Sequence, residues 1–260
     1  MTSSILKTAF FCVVGGALIS TECLACDVLL ADTLQVVEVV DAVTWQLSDG
    51  RTVRLEGIAA PRPPAELGPA ANWPIRERAL AYARTMVEGK SIFFSFTEQT
   101  DRYDRLIGQA FFDDGTWING ALVSAGMARV ETLHDQTRCA SDAFDLEQQA
   151  RNTARGIWDL SAYAVRSPEE SAGFTNDFQI VEGVVVQTAD VRGRVFLNFG
   201  EDYRTDFTIT IAPADMRRFG EETYDPLALE GARIRVHGWL EFYNGPMIEV
   251  DHPEQIEVLE

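Results

Sequence analysis

Residues 41–62 read DAVTWQLSDGRTVRLEGIAAPR, and their pattern decides the fold of the first half of the chain. Polar and apolar residues alternate on both sides of Asp49-Gly50, a dipeptide typical of a tight turn between antiparallel strands. The second strand runs into Ala59, Ala60 and Pro61, where a loop begins. The stretch therefore predicts a β-hairpin followed by a proline-containing loop.

The surrounding segments predict a strand-rich domain that carries three helices. Alternation begins near residue 34, and Pro74 after a proline-rich loop predicts a helix that ends at Gly89. A short helix is predicted over 117–125, and another from a cap at Ser141 to about residue 155. Because the strands cluster and the helices come late, we expect an α+β fold, a β-barrel with packed helices, rather than a parallel sheet.

A second β-rich unit follows a polar segment. We expect five strands there, at 178–188, 194–199, 206–212, 232–241 and 246–250, with a short helical piece over 213–220. This count fits a second, smaller OB-like barrel. The predicted organisation is a signal peptide at 1–25, a first domain at 26–166, a linker at 167–177 and a second domain at 178–260.

The N-terminal segment is typical of a secretory signal peptide. It combines Lys7, an apolar stretch from about residue 9 to 19 and small residues that end at Ala25, and it is too short to span a bilayer. We therefore expect a secreted or periplasmic protein, with no transmembrane helix. Cleavage after Ala25 removes Cys12 and Cys23.

Two cysteines, Cys26 and Cys139, remain after cleavage, and in an oxidising compartment they most simply form one disulfide. In the chain-entropy model, closing this loop with a disulfide stabilises the folded protein by roughly 4 to 5 kcal/mol. The alternative is that Cys26 accepts a lipid, although Cys23 stands where lipoproteins normally carry an aliphatic residue.

The formal charge of −18 argues against a polyanion as the partner. In the mature chain the first 147 residues, 26–172, carry 14 basic and 22 acidic side chains, and residues 173–260 carry 7 and 17. Nucleic-acid binders neutralise phosphates with Lys and Arg, and neither half has that excess. Aromatic residues of the second unit offer stacking surfaces, but nucleic acid is a doubtful partner.

The first domain resembles the thermonuclease, or staphylococcal-nuclease-like, family over about residues 34–160. The stretches that carry the resemblance are VVDAVTWQL (39–47), VRLEGIAAP (53–61), TDRYDR (100–105), DGTWINGALVSAGMARV (114–130) and ARNTARGIW (150–158). The resemblance implies an OB-type five-stranded barrel with helices. In active members it also implies a calcium-dependent phosphodiesterase.

The resemblance implies a site that this chain has altered. In the family two aspartates hold calcium, a glutamate prepares the attacking water and two arginines stabilise the phosphate, in keeping with the preference of Ca²⁺ for oxygen and of guanidinium for phosphate. The two aspartate positions fall on Val43 and Ala59, and the glutamate position falls on Arg62. The two arginines persist as Arg54 and Arg105, which we expect to be phosphate-binding remnants.

Other acids could replace the missing ones. Strand alternation places Glu56 on the face of Arg54, roughly 7 Å away, and further carboxylates lie in flanking loops and turns. In the simpler interpretation Glu56 pairs with Arg54 or faces water, and Asp101 and Asp104 organise the turn that holds Arg105. The flanking acids in question are Asp41, Glu66, Asp101 and Asp104. The histidines, His134, His237 and His252, show no metal-ligand spacing.

The resulting hypothesis is a non-catalytic protein with a degenerate calcium site that binds a protein, an envelope component or an anionic ligand. Loss of one oriented electrostatic contribution commonly costs 10²- to 10³-fold in rate, and here the metal ligands and the glutamate are all replaced. No cofactor is expected. The alternative is a divergent metal-dependent nuclease or phosphodiesterase, for which calcium would be the cofactor. A third interpretation is a purely structural envelope module.

Overall fold

The computed structural model describes residues 26, 28–30, 32–202, 204–220 and 225–259. The predicted signal peptide, residues 1–25, lies outside the described residues. Within the described ranges no helix is both long and apolar enough to cross a membrane.

A closed barrel of five strands forms the first domain, with neighbours in the order β1-β2-β3-β6-β5. The predicted hairpin joins β2 to β3, and Gly50 turns in the left-handed region at φ 88°. Only β3 and β6 run parallel among the described barrel pairs. The α+β class and the OB-type barrel are thereby confirmed. The strands are β1 Asp32–Asp41, β2 Thr44–Leu47, β3 Thr52–Leu55, β5 Ser91–Thr100 and β6 Leu106–Phe111.

A small two-stranded sheet lies beside the barrel. It pairs β4 (Ile58–Ala59) with β7 (Arg129–Val130) in antiparallel register, with Ala59 across from Arg129. Glu131 extends this pairing, because its backbone N–H donates to the Gly57 carbonyl at 2.9 Å. The chain after the hairpin is thus held against the segment around residue 130.

Among the described residues, helices α1 and α2 pack on the barrel, and helix α3 packs on α2 and β7. Helix α1 (Pro74–Val87) begins at the predicted proline and buries Ile75, Ala79 and Ala83. Helix α2 (Ile118–Ser124) matches the predicted short helix. Helix α3 spans Ala140–Asn152.

The predicted limits of α3 were wrong. Cys139, not Ser141, is the N-cap, because the chain turns in the left-handed conformation at Cys139 (φ 61°). The helix stops at Asn152 rather than near Arg155, since Ala154 adopts φ 49° and ends the helical path. A residue with positive φ therefore determines where α3 begins and where it ends.

The predicted disulfide joins Cys26 to Cys139, with Cα atoms 5.2 Å apart and a sequence separation of 113. It ties the start of the described chain to the cap of α3. The Cys26 sulfur is engaged in this bond, which leaves no free thiol there for a lipid.

The second unit is a seven-stranded sheet in the order β14-β12-β13-β11-β10-β9, with β8 paired to the other edge of β12. The first predicted strand is split into β8 and β9, because Val185 and Val186 bond to different neighbours, Ala232 and Asn198. A further strand, β14, follows the predicted ones, and the helical piece is one 3₁₀ turn at Met216–Arg218. The strands are β8 Asp177–Val184, β9 Gln187–Val191, β10 Arg194–Asn198, β11 Thr208–Ile211, β12 Arg233–Phe242, β13 Pro246–Val250 and β14 Ile256–Leu259.

Each unit has its own apolar core, and polar contacts join the two. The first core surrounds Trp45, Phe94 and Trp117, and the second surrounds Leu197 and Phe207. Across the junction, the Ala65 N–H donates to Asp177, the Thr132 hydroxyl lies 2.8 Å from His252 Nε2, and His134 pairs with Asp251. The domains therefore meet through hydrogen bonds and charges rather than a shared apolar core.

Candidate functional site

Val43, at the position matched to a calcium aspartate, belongs to the barrel core. It is fully buried, and its carbonyl accepts the Leu55 N–H at 2.8 Å. The nearby acid, Asp41, uses its Oδ1 to accept the Val43 N–H at 2.8 Å. This carboxylate therefore closes the turn between β1 and β2.

Ala59, at the second aspartate position, is also buried, with 4% of its surface exposed. It is held in β4 by its pairing with Arg129 on β7. The methyl side chain offers no oxygen to an ion, and Ca²⁺ takes oxygen ligands. Both positions thus contribute apolar packing.

Arg62, at the position matched to the glutamate in the resemblance, forms an ion pair. Its Nη2 donates to Glu131 Oε2 at 2.8 Å, and Arg129 donates to the same oxygen at 2.8 Å. Burial raises the pKa of Glu131, but Arg129 and Arg62 outweigh burial and hold that pKa below its usual value. The carboxylate therefore stays ionised between two guanidinium groups. We call Arg62, Arg129 and Glu131 the arginine clasp.

Aromatic residues of the second domain cover the arginine clasp. The Arg62 guanidinium lies 4.6 Å from the ring centre of Trp239, and that of Arg129 lies 4.1 Å from the ring centre of Phe178. Such cation–π contacts contribute about 0.5 to 2 kcal/mol each, more where water is excluded. The arginine clasp thus lies against the second domain.

Arg54 has few partners. The strand register places it across from Thr44 on β2 and Ile107 on β6. Its Nη2 donates only a long bond of 3.4 Å to the Ile58 carbonyl, and no described carboxylate lies within ion-pair distance of it. Its half-buried guanidinium is therefore available to an anion.

Arg105 is held by its own turn. Asp101 accepts the backbone N–H of Tyr103 and of Arg105, and its other oxygen accepts Arg105 Nε at 2.8 Å. Burial acts to raise the pKa of Asp101, but the hydrogen bonds from Arg105 lower it more. The prediction that Asp101 organises this turn is confirmed. Arg105 directly precedes β6, in which Ile107 pairs with Arg54 on β3.

Glu56 has a different partner from the one predicted. The interpretation that it pairs with Arg54 or faces water was wrong, because β3 ends at Leu55 and the following turn buries Glu56 to 1% exposure. Arg138 donates to its carboxylate at 2.5 and 2.9 Å and also bonds the Ser95 carbonyl. Glu56 therefore fastens the segment before α3 to the barrel.

The acids considered as replacements do not converge. Across the described ranges, no three or more His, Cys, Asp or Glu side chains are grouped so that they could hold a metal ion. Glu66 lies in the loop before α1, and Asp104 adopts φ 61° in the turn before β6. His134 and His252 both contact Asp251, whereas His237 is buried against Glu257.

The arginine clasp was missed in the sequence. Arg129 and Glu131 flank Val130, so their side chains share a face, but Arg62 is 69 positions from Glu131. The only available signal was the charge reversal at Arg62, which implies a nearby acid without identifying it. The contact with Trp239, 177 positions from Arg62, has no local signal either.

The OB-type barrel, with Arg54 and Arg105 retained, resembles a nuclease-type domain. The family model described as Staphylococcal nuclease homologue matches residues 52–160. Two proteins, from Escherichia coli O157:H7 and Escherichia coli, are each 32% identical over 127 residues, which covers 48% of this chain and 75% of theirs. Each of them is named an uncharacterized endonuclease. This chain belongs to the staphylococcal nuclease homologue family.

Proposed function

We propose that this chain is a secreted or periplasmic, non-catalytic member of its family that acts by binding a protein, an envelope component or an anionic ligand. The observation that carries the proposal is the arginine clasp. A salt-bridged cation covered by Trp239 occupies the place of the acid that would prepare water. No cofactor is part of this role.

The replaced aspartate positions support the same conclusion. Val43 is buried in the apolar barrel core, where a carboxylate would need new partners to offset its desolvation, and Ala59 is buried across from Arg129 without an oxygen ligand of its own. Arg54 keeps a guanidinium suited to a phosphate or carboxylate oxygen. The site therefore favours holding an anion over activating water.

The disulfide supports an extracytoplasmic location. Disulfides persist in oxidising compartments and are rare in the cytosol, and Cys26–Cys139 joins the two cysteines that remain after the predicted cleavage. The predicted signal peptide fits the same location.

A nuclease assay of the mature chain tests the proposal. With Ca²⁺, Mg²⁺ or Mn²⁺, we expect the unaltered chain to cleave single- and double-stranded DNA and RNA no faster than the Arg54→Ala and Arg105→Ala variants do. Arg217→Gln, an exposed arginine of the second domain, is the matched control. Turnover that Arg54→Ala or Arg105→Ala abolishes, and that Arg217→Gln keeps, would overturn the non-catalytic role.

The enzyme alternative is a divergent, metal-dependent phosphodiesterase. The long hydrogen bond of Arg54 and the retention of Arg105 favour it, as do the names of the two relatives. Calcium calorimetry distinguishes the two functions. Stoichiometric calcium binding together with turnover supports the enzyme, and neither is expected of the binding protein.

A further inference from the structure

A cavity of about 360 Å³ opens at the junction of the two domains, and Arg62, Arg129 and Glu131 are not among its lining residues. It lies between the loop before α1, the segment 161–166 and the segment that leads into β8. Its volume is in the range of small-molecule sites. The side chains that matter for recognition are Glu66, Leu67, Trp73, Arg166, Phe174 and Asp177.

Arg166 lines this cavity as a buried cation that forms no ion pair with the described residues. Only 9% of its surface is exposed. Its Nη2 donates to the Ser161 carbonyl at 2.6 Å, and its Nε reaches Gln179 only at 3.5 Å. No carboxylate in the described part of the chain lies within ion-pair distance of it. Burial lowers the pKa of Arg166, and the charge of Glu170, which forms no ion pair with it, offsets this only in part.

An unpaired buried charge costs several kcal/mol, so buried charges are normally paired. The position of Arg166 is fixed, because its guanidinium lies 3.6 Å from the ring centre of Phe174 and its backbone N–H donates to Ile180. The remaining donors therefore form a rigid half of a carboxylate site. An anionic group of a ligand would supply the other half.

The other walls of the cavity are apolar or acidic. The indole N–H of Trp73 is occupied by Tyr163 Oη at 3.2 Å, which fixes the ring, and Leu67 and Phe174 expose apolar surface. Asp177 accepts the Ala65 N–H at 3.1 Å, and Glu66 is exposed in the same loop. The apolar walls suit a hydrophobic body, and the acids suit a cation.

We propose that this cavity binds an amino acid or a short peptide with an apolar side chain. The carboxylate lies on Arg166, the side chain lies between Trp73 and Phe174, and the ammonium group faces Glu66 and Asp177. The two acids repel a phosphodiester and so exclude nucleotides. This ligand assignment rests on the proposed binding role, but it does not depend on loss of turnover at the inherited site.

Calorimetry on the mature full chain with alanyl-phenylalanine tests the assignment. We expect saturable binding that weakens at least tenfold when the peptide carries a C-terminal amide, because Arg166 then faces no carboxylate. The N-acetylated peptide should also bind more weakly. These comparisons use the unaltered protein and do not depend on any variant folding.

Variants locate the site. Arg166→Gln should weaken binding of alanyl-phenylalanine at least tenfold, and Arg217→Gln, with the same change in charge, should leave it unchanged. Unchanged affinity for either modified peptide, no binding at millimolar peptide, or equal competition by inorganic phosphate would overturn the assignment. The nuclease assay reads a different site, so failure of the peptide titration and failure of the proposed non-catalytic role are separately visible.

Discussion

Arg62 lies at the position that the family resemblance matches to a glutamate. The chain has there a cation that pairs with Glu131 and stacks on Trp239. Glu131 in turn balances Arg129, whose side chain is only 6% exposed. The carboxylate is therefore the member of the arginine clasp on which the other two depend.

Glu131→Gln should destabilise the folded protein by about 3 kcal/mol, at the low end of the cost of breaking a buried pair. The amide keeps the shape but leaves two arginines without an anion. Urea denaturation at neutral pH measures the difference in free energy of unfolding. Glu77→Gln is the control, because its ion pair with Arg76 is long and exposed, and we expect less than about 0.5 kcal/mol there. Equal effects of the two substitutions would contradict the role given to Glu131.

At the scale of elements, two glycines let the chain cross itself between α2 and the end of the first domain. Gly126 (φ 65°) and Gly156 (φ 58°) both lie in the left-handed region. A Cβ on Gly156 would lie 2.1 Å from the Gly126 carbonyl oxygen. The Ile157 N–H donates to that same carbonyl at 2.9 Å. The crossing therefore requires glycine for space as well as for conformation.

Gly156→Ala should destabilise the protein by at least about 2 kcal/mol more than Gly115→Ala. Gly115 also has a positive φ (84°), but nothing lies within 4 Å of a Cβ there, so alanine meets only the conformational cost of about 1 to 2 kcal/mol. At Gly156 the overlap with backbone adds an overpacking cost. Thermal or urea unfolding of both variants provides the comparison. A Gly156→Ala variant as stable as Gly115→Ala would mean that the crossing relaxes freely.

Local signals predicted the elements well where the residues concerned are neighbours in sequence. Asp49-Gly50 marked the β2–β3 turn and Pro74 marked the start of α1, since turn and cap preferences act over a few residues. The limits of α3 were missed because the positive φ at Cys139 and at Ala154 is set by the tertiary fold. Pairing of Glu56 with Arg138, 82 positions apart, has no local signal at all. The arginine clasp has no local signal either. The sequence could therefore indicate the individual positions of the candidate site, but not the partners that Arg62 and Glu56 find in the fold.

At the scale of the whole molecule, a buried charge network joins the two domains. His237 is 2% exposed, and its Nε2 lies 2.7 Å from Glu257 on β14. Its Nδ1 lies 3.8 Å from Glu147 on α3, which also accepts the Arg151 guanidinium at 2.6 Å. Arg235 on β12 completes the network with a 3.2 Å contact to Glu257. Docking of the domains therefore depends on the charge state of these groups.

The two carboxylates of this network respond to pH in opposite directions. Burial acts to raise the pKa of Glu257, but His237, Arg235 and Arg151 lower it to about 2 from 4.5. Its contribution to stability is present above about pH 4.5 and is lost as the pH falls toward 2. Burial raises the pKa of Glu147 above its usual value of 4.5, so folding favours the protonated carboxyl. Its contribution to stability is therefore fully present below about pH 4.5 and is lost as the pH rises through the pKa of the folded state.

Glu257→Gln should therefore remove part of the acid sensitivity of the protein. The difference in unfolding free energy between the unaltered chain and this variant should decrease from pH 5 to pH 2.5. Full linkage of about 1.4 kcal/mol per pKa unit gives an upper bound of about 3 kcal/mol, which solvent screening reduces. Urea denaturation at steps across this range measures it. Glu241 is an exposed residue of β12, and Glu241→Gln should leave the pH profile unchanged. If the effect of Glu257→Gln on the unfolding free energy did not change with pH, the charge of Glu257 would not stabilise the contact between the domains.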